Sequence, residues 1–214
     1  MNVEARTRDF FGFLGLARKL KIDAADLEQR YRALSRQCHP DYFYNAPPAE
    51  RRASLERSSY LNDAYRTLKN PVSRIEYLLK LEATSQDLSA EARSGETRAK
   101  ADGSGRASAT PPPALLEDVF ALNEELAEIR EERESGTPEQ TWKARLDRAR
   151  APIERKRAEH EAALEQLSAS WDALVDASAG GAERRRVLDE LQERFLERNY
   201  ITNLLAGIER ELSE

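Results

Sequence analysis

Three consecutive side chains, His39, Pro40 and Asp41, concentrate the chemistry of this 214-residue chain. They stand between two amphipathic stretches and inside neither. A histidine beside a carboxylate could serve as a general base with an orienting partner. Cys38, immediately before them, would then be the nucleophile. Chain geometry argues against it. Cys38 and His39 are sequence neighbours whose side chains diverge, and the second histidine, His160, lies in a distant segment. One cysteine forms no internal disulfide and no cysteine-based metal cage, and two ligands do not complete a tetrahedral site. Neither a Cys–His enzyme nor a metal or cofactor site is expected. The plainer alternative is a turn in which Pro40 stops a helix and Asp41 caps nearby amides. That accounts for Pro40 but not for the order of the three residues.

The flanking elements must position that turn. Asp23 is a suitable N-cap with Asp26 three residues on, and Leu27, Tyr31 and Leu34 fall on one apolar stripe. Pro40 ends this helix at or before His39. A second helix fits Pro48 to Lys69, with Leu55, Leu61, Tyr65 and Leu68 on one side. Asn70-Pro71 interrupts it, and Ile75, Leu78 and Leu79 begin a shorter apolar segment. Two antiparallel helices of this kind bury their stripes against each other and against Phe10, Phe13, Leu14 and Leu16. Arg30, Arg32 and Arg36 share part of the first helix's surface, with Arg18, Lys19 and Lys21 at its approach. This is either an ordinary solvated face or a positive contact face that steers an acidic partner.

Composition changes near residue 84. The stretch from Gln86 to Thr110 offers almost nothing to bury, and Pro111 to Pro113 then announce another helix, so residues 84–113 are expected to be a polar flexible connection. Beyond it, residues 114–214 are expected to form three helices. Leu115 to Arg133 is the first. Thr137 with Gln140 resembles a capping box opening the second, which carries Trp142, Leu146, Ile153, Leu164 and Leu167. Pro152 should kink or break it. Gly180-Gly181 sets off the third, with Val187, Leu188, Leu191, Phe195, Leu204, Ile208 and Leu212. The fold class is all-α: a helical hairpin domain over 8–83 and a bundle or elongated coiled hairpin over 114–214. Trp142 and Trp171 are expected to pack in a core or at its rim. The formal net charge of −5 makes nucleic acid a poor partner, and no apolar run reaches the length of a membrane span or a secretory signal, so a cytoplasmic protein is expected.

A helix ending in basic residues, then His39-Pro40-Asp41, then a helix ending in Leu61-Asn62-Asp63-Ala64-Tyr65-Arg66-Thr67-Leu68, resembles the J-domain of the DnaJ class. Asp9-Phe10-Phe11 and Leu14-Gly15-Leu16 upstream fit the same pattern. The resemblance implies that the chain is no enzyme itself but stimulates ATP hydrolysis by a heat-shock chaperone of the DnaK class. His39, Pro40 and Asp41 would be the trigger, and Arg30, Arg32 and Arg36 its positive face. Tyr42 departs from the Lys or Arg usual at its position. No Gly/Phe-rich segment or CxxCxGxG module follows. Instead, Asn70-Pro71-Val72-Ser73-Arg74-Ile75-Glu76-Tyr77-Leu78-Leu79 resembles the join of the HscB family of iron–sulphur cluster co-chaperones, in a bacterial form without a cysteine-rich N-terminal extension.

That family resemblance implies two partners, the chaperone HscA and the scaffold protein IscU. It assigns Leu116, Phe120, Glu124 and Glu128, with Phe195 on the last helix, to scaffold binding. Helical spacing puts Leu116, Phe120 and Glu124 in one patch, apolar at one end and charged at the other. Leu115, Val119, Leu122, Leu126 and Ile129 form a second stripe that must be core. Leu116 and Phe120 are therefore either partly buried too, or exposed for a partner. A J-protein with a different client, or an inert helical scaffold, would share much of this sequence pattern.

Overall fold

The computed structural model describes residues 9–94 and 112–213; most of the expected connection, 95–111, lies outside the described residues. All regular elements among the described residues are helical: α1 (Phe10–Phe13), α2 (Ala24–Cys38), α3 (Pro48–Lys69), α4 (Pro71–Ser94), α5 (Leu116–Glu134), α6 (Glu139–Asp176) and α7 (Gly181–Ser213), with 3-10 turns at Pro40–Phe43 and Pro113–Leu115. They fall into two compact units, one of residues 9–94 with Ser168–Leu188, the other of 112–167 with 189–213. No described helix is long and apolar enough to cross a membrane.

In the first unit, the Asp23 carboxylate accepts hydrogen bonds from the amides of Ala25 (2.7 Å) and Asp26 (3.2 Å), fixing the start of α2. α3 has the expected bounds. Asn70 then joins two helices, because its side chain accepts from the amides of Val72 (2.9 Å) and Ser73 (3.1 Å) at the start of α4. α4 continues to Ser94, past the boundary expected at residue 83. Loss of apolar residues does not end a helix by itself. No Gly or Pro interrupts the chain between Pro71 and Gly95, and Ala, Glu, Leu and Gln propagate helix without burial.

Phe11, Leu14, Leu20, Leu27, Leu61, Ala64, Leu68, Ile75 and Leu78 are buried in this unit. Phe10 stacks on Tyr77 (4.4 Å between centroids), and the Phe10 amide donates to the Tyr77 hydroxyl at 2.9 Å. Leu55 departs from the expected stripe and is exposed, while Ser54 is buried in its place. The Ser54 hydroxyl donates to the Cys38 carbonyl at 2.9 Å, satisfying a helix-terminal acceptor and turning position 54 inward.

Residues 168–188 belong with the first unit because their polar groups hold the chain just before α2. The Trp171 indole donates to the Arg18 carbonyl (2.7 Å), and the buried Asp172 carboxylate accepts from the amides of Leu20 (2.6 Å) and Lys21 (2.8 Å). Arg74, itself buried, donates to the carbonyls of Leu68 and Leu20. The expected division of the chain at residue 113 is thus revised. It followed the change in composition near residue 84, which carries no trace of a carboxylate seeking distant amides.

Between α1 and α2 the backbone reverses at Gly15, whose φ of +68° lies in the left-handed region. The Arg30 guanidinium caps the reversal, donating from Nη1 to the Gly15 carbonyl at 2.7 Å, and a Cβ at Gly15 would lie 3.1 Å from that nitrogen. Gly15→Ala is expected to lower stability by about 1–2 kcal/mol, measured as a fall in the urea midpoint.

In the second unit, Leu115, Val119, Leu122 and Ile129 of the α5 segment pack with Trp142, Leu146 and Ile153 of α6 and Ile201, Leu205 and Ile208 of α7. This is a three-helix core. Pro152 sits inside α6 without ending it. It is exposed, as is Arg148, whose carbonyl loses its amide partner four residues on. Water can serve that acceptor, while Leu146 and Ile153 in the core hold the helix on either side.

One buried titratable pair crosses this bundle. His160 Nδ1 lies 3.2 Å from Glu197 Oε2 without the alignment of a hydrogen bond, and Arg194 also meets Glu197, at 2.9 Å. Burial pushes the imidazole below its ordinary 6.5, with Glu197 and Glu159 opposing and Arg194 and Lys156 reinforcing the shift. Between the folded value and 6.5 the unfolded chain binds more protons, so stability is present above that window and is lost as pH falls through it. His160→Gln is expected to flatten the change in urea midpoint on going from about pH 7.5 to about pH 5.5.

Candidate functional site

α2 and α3 pack against each other and present the turn between them at one end of the pair. α2 ends at Cys38; His39 is extended, with ψ of 127°, and Pro40 starts the 3-10 turn that carries Asp41. The Tyr42 amide donates to the His39 carbonyl at 3.1 Å, and the Asp41 amide to His39 Nδ1 at 3.3 Å. Nδ1 is thus an acceptor and carries no proton when the ring is neutral. Asp41 Oδ2 stands 3.4 Å from the same nitrogen. The Asp41 side chain is 86% exposed. The fold spends the histidine on shaping the turn and leaves the carboxylate facing solvent. An exposed carboxylate at the end of a helix pair is accessible to a partner, and no group of three or more potential metal ligands occurs among the described residues. Cys38 is a half-buried helix-terminal residue, as expected.

The arginines of α2 separate into different roles. Arg30 holds both Asp26 oxygens at 2.9 Å as well as the carbonyls of Leu14 and Gly15. It is a structural clamp, so its expected place in the contact face is revised. Arg32 pairs with Glu28 one turn back on the open surface. Arg36, one turn before His39-Pro40-Asp41, is exposed and has no carboxylate partner among the described residues. Of the charges expected at the approach, Arg18 pairs with Asp9 and Glu82, and Lys19 with Asp176.

The second candidate surface lies on α5. The helix carries two stripes, and the structure separates them. Leu115, Val119, Leu122 and Ile129 are buried, whereas Leu116 is exposed and Phe120 is 65% exposed. Glu124 is exposed on the same line, one turn further. Glu128 is exposed but paired with Arg145, which also meets Glu125 at 2.5 Å and Glu132 at 2.7 Å. The three carboxylates bring the Arg145 pKa up, and the same contact brings Glu125 down. Glu128 therefore belongs partly to a network that fastens α5 to α6.

Phe195 is only 8% exposed, too buried to offer its ring to a partner. Position 196 is the one turned outward: Leu196 is 52% exposed. Sequence periodicity along α7 is blurred by apolar residues at both positions, and an aromatic ring next to a leucine gave no sign of which faces out. Trp142 and Trp171 are both buried, as expected of packing residues.

With this geometry in place, comparison with known proteins is informative. Residues 9–77, which span α1 to α3 and the start of α4, match the DnaJ domain family. A co-chaperone protein HscB homologue from Cupriavidus taiwanensis is 34% identical over 182 residues, covering 85% of this chain and 88% of that protein. The fold is similar to the crystal structure of human co-chaperone protein HscB, with a TM-score of 0.57 and 23% identity over 96% of this chain and 82% of that one. It is also similar to chaperone HscB from Vibrio cholerae, with a TM-score of 0.52 and 22% identity over 95% and 96% of the two chains. A DnaJ domain at residues 9–77, on a chain that is 34% identical to an HscB homologue over 85% of its length, places this protein in its family: the chain belongs to the HscB family of J-domain co-chaperones.

Proposed function

We propose that this chain binds the iron–sulphur scaffold protein IscU and delivers it to the DnaK-class chaperone HscA while stimulating the chaperone's ATPase. The observation that carries this reading is the pair of separate, outward-facing surfaces. One is the His39-Pro40-Asp41 turn with Arg32 and Arg36; the other is the Leu116–Phe120–Glu124 line, with Leu196 as a further exposed apolar residue of the same unit. A solvent-facing phenylalanine is an unfavourable thing for a free protein to display, and an apolar patch edged by carboxylates suits a protein interface. Glu128 would contribute from within its pairing to Arg145.

The adaptor works by proximity. Holding scaffold and chaperone on one chain raises the scaffold's effective concentration at the chaperone's substrate site. Docking of the turn shifts the chaperone toward its hydrolysis-competent state, and hydrolysis then tightens its grip on the scaffold. The groups that cleave ATP belong to the chaperone. The test is retention of purified partners on the immobilised chain: both HscA and IscU should be held. Retention of the chaperone without the scaffold would overturn the client assignment in favour of a J-protein serving another client.

A further inference from the structure

Building on the reading of the His39-Pro40-Asp41 turn as the chaperone contact, we propose that the same turn carries an aromatic anchor. Tyr42 and Tyr44, with Leu55 of α3, form an apolar contact surface for a segment of the chaperone that is itself apolar and flanked by acidic side chains.

Among the described residues of the first unit, three large apolar side chains are openly exposed: Tyr42 at 74%, Tyr44 at 77%, and Leu55. All three cluster about the trigger. Tyr42 directly follows Asp41, and its ring meets that of His39 edge-on at 6.1 Å between centroids. Tyr44 closes the 3-10 turn, its amide donating to the Asp41 carbonyl at 3.4 Å. Leu55 follows Ser54, whose bond to the Cys38 carbonyl pins this part of α3 beside the end of α2.

Neither tyrosine hydroxyl has a hydrogen-bond partner among the described residues, and the Tyr42 ring rests edge-on against His39. Tyrosine at an interface supplies a large contact area for the loss of few rotamers. The rim indicates which partner this surface fits. Arg36 at the end of α2, and Arg51 and Arg52 in the first turns of α3, are exposed without a carboxylate partner among the described residues. The nearby acids are Asp41, which is the trigger, exposed Glu50, and Glu56, which is engaged within the fold. Unpaired guanidinium groups around an aromatic centre select an acidic-edged apolar segment over a basic or wholly polar one. Continuity with the trigger places that segment on the chaperone rather than on the client.

The anchor contributes affinity, while Asp41 contributes activation, and the two are separable in one assay. In the full chain, Tyr42→Ser with Tyr44→Ser should raise the concentration giving half-maximal stimulation of chaperone ATPase by about tenfold, with maximal stimulation retained. Tyr42→Phe with Tyr44→Phe should behave as wild type. An unchanged half-saturating concentration in the serine variant, or a fall in maximal stimulation with no change in half-saturation, would overturn the anchor. So would a loss confined to scaffold retention. Absence of stimulation by the wild-type chain would instead remove the underlying reading of the turn.

Discussion

Asp41→Asn in the full chain is expected to reduce stimulation of the partner chaperone's ATPase to the basal level while leaving the co-chaperone folded and able to bind its client. The asymmetry follows from the turn's construction. The backbone amide of Asp41 and the ring of His39 shape the turn, and neither depends on the charge of the Asp41 side chain. The carboxylate is exposed, with its only close described contact at 3.4 Å to His39 Nδ1. Asparagine keeps the volume and the local turn preference but removes the charge. Stability should change by no more than about 0.5 kcal/mol. Steady-state hydrolysis measured against increasing co-chaperone, with urea unfolding as the control, checks both halves. Full stimulation by a folded Asp41→Asn variant would show that the turn is not the trigger.

Leu116→Ala with Phe120→Ala should weaken scaffold binding by roughly 30- to 1,000-fold, about 2–4 kcal/mol. Both side chains stand off the core on α5, so the energy they contribute is free to be realised at an interface. The folding cost of the double substitution should stay near 1 kcal/mol or below, whereas truncating their buried neighbours Val119 and Leu122 would damage the three-helix core itself. Titration calorimetry with the purified scaffold reads the effect directly. Wild-type affinity in the double variant would place the client site elsewhere on the chain.

The elements that were legible in the sequence are those governed by local rules. Asp23 as an N-cap, Pro48 to Lys69 as one helix, and the turn at Pro40 all follow from capping, periodicity and the geometry of proline, and the structure shows each of them. What sequence could not supply depends on partners far along the chain. Asp172 reads as one more acid on a charged helix, yet it is buried to hold the amides of Leu20 and Lys21. Arg30 reads as a free surface charge, yet two bonds to the Leu14 and Gly15 carbonyls commit it to the α1–α2 reversal and two more tie it to Asp26. At the candidate sites the same division holds. The α5 stripes could be listed from spacing, but only three-dimensional packing decides that Phe120 faces out and Phe195 faces in. A one-residue step along a helix turns a side chain by about 100°, so adjacent apolar positions such as Phe195 and Leu196 cannot be ranked without their neighbours. Ser54 and Leu55 show the same ambiguity at the other surface.

These distinctions narrow the co-chaperone's working parts. The proposed chaperone contact reduces to Asp41 and Arg36, which has no carboxylate partner among the described residues, with Arg32 in a surface pair and the tyrosines as the proposed anchor. The proposed client surface reduces to Leu116, Phe120 and Glu124. The −5 charge of the whole chain is an average over surfaces of opposite character, and neither proposed partner would meet the average. The most direct test of the two-partner account is the steady-state ATPase rate of the DnaK-class chaperone with the co-chaperone alone, the scaffold alone, and both together. The account predicts a rate with both that exceeds the sum of the separate stimulations. A rate equal to or below that sum would contradict coupling of the two surfaces through one chain.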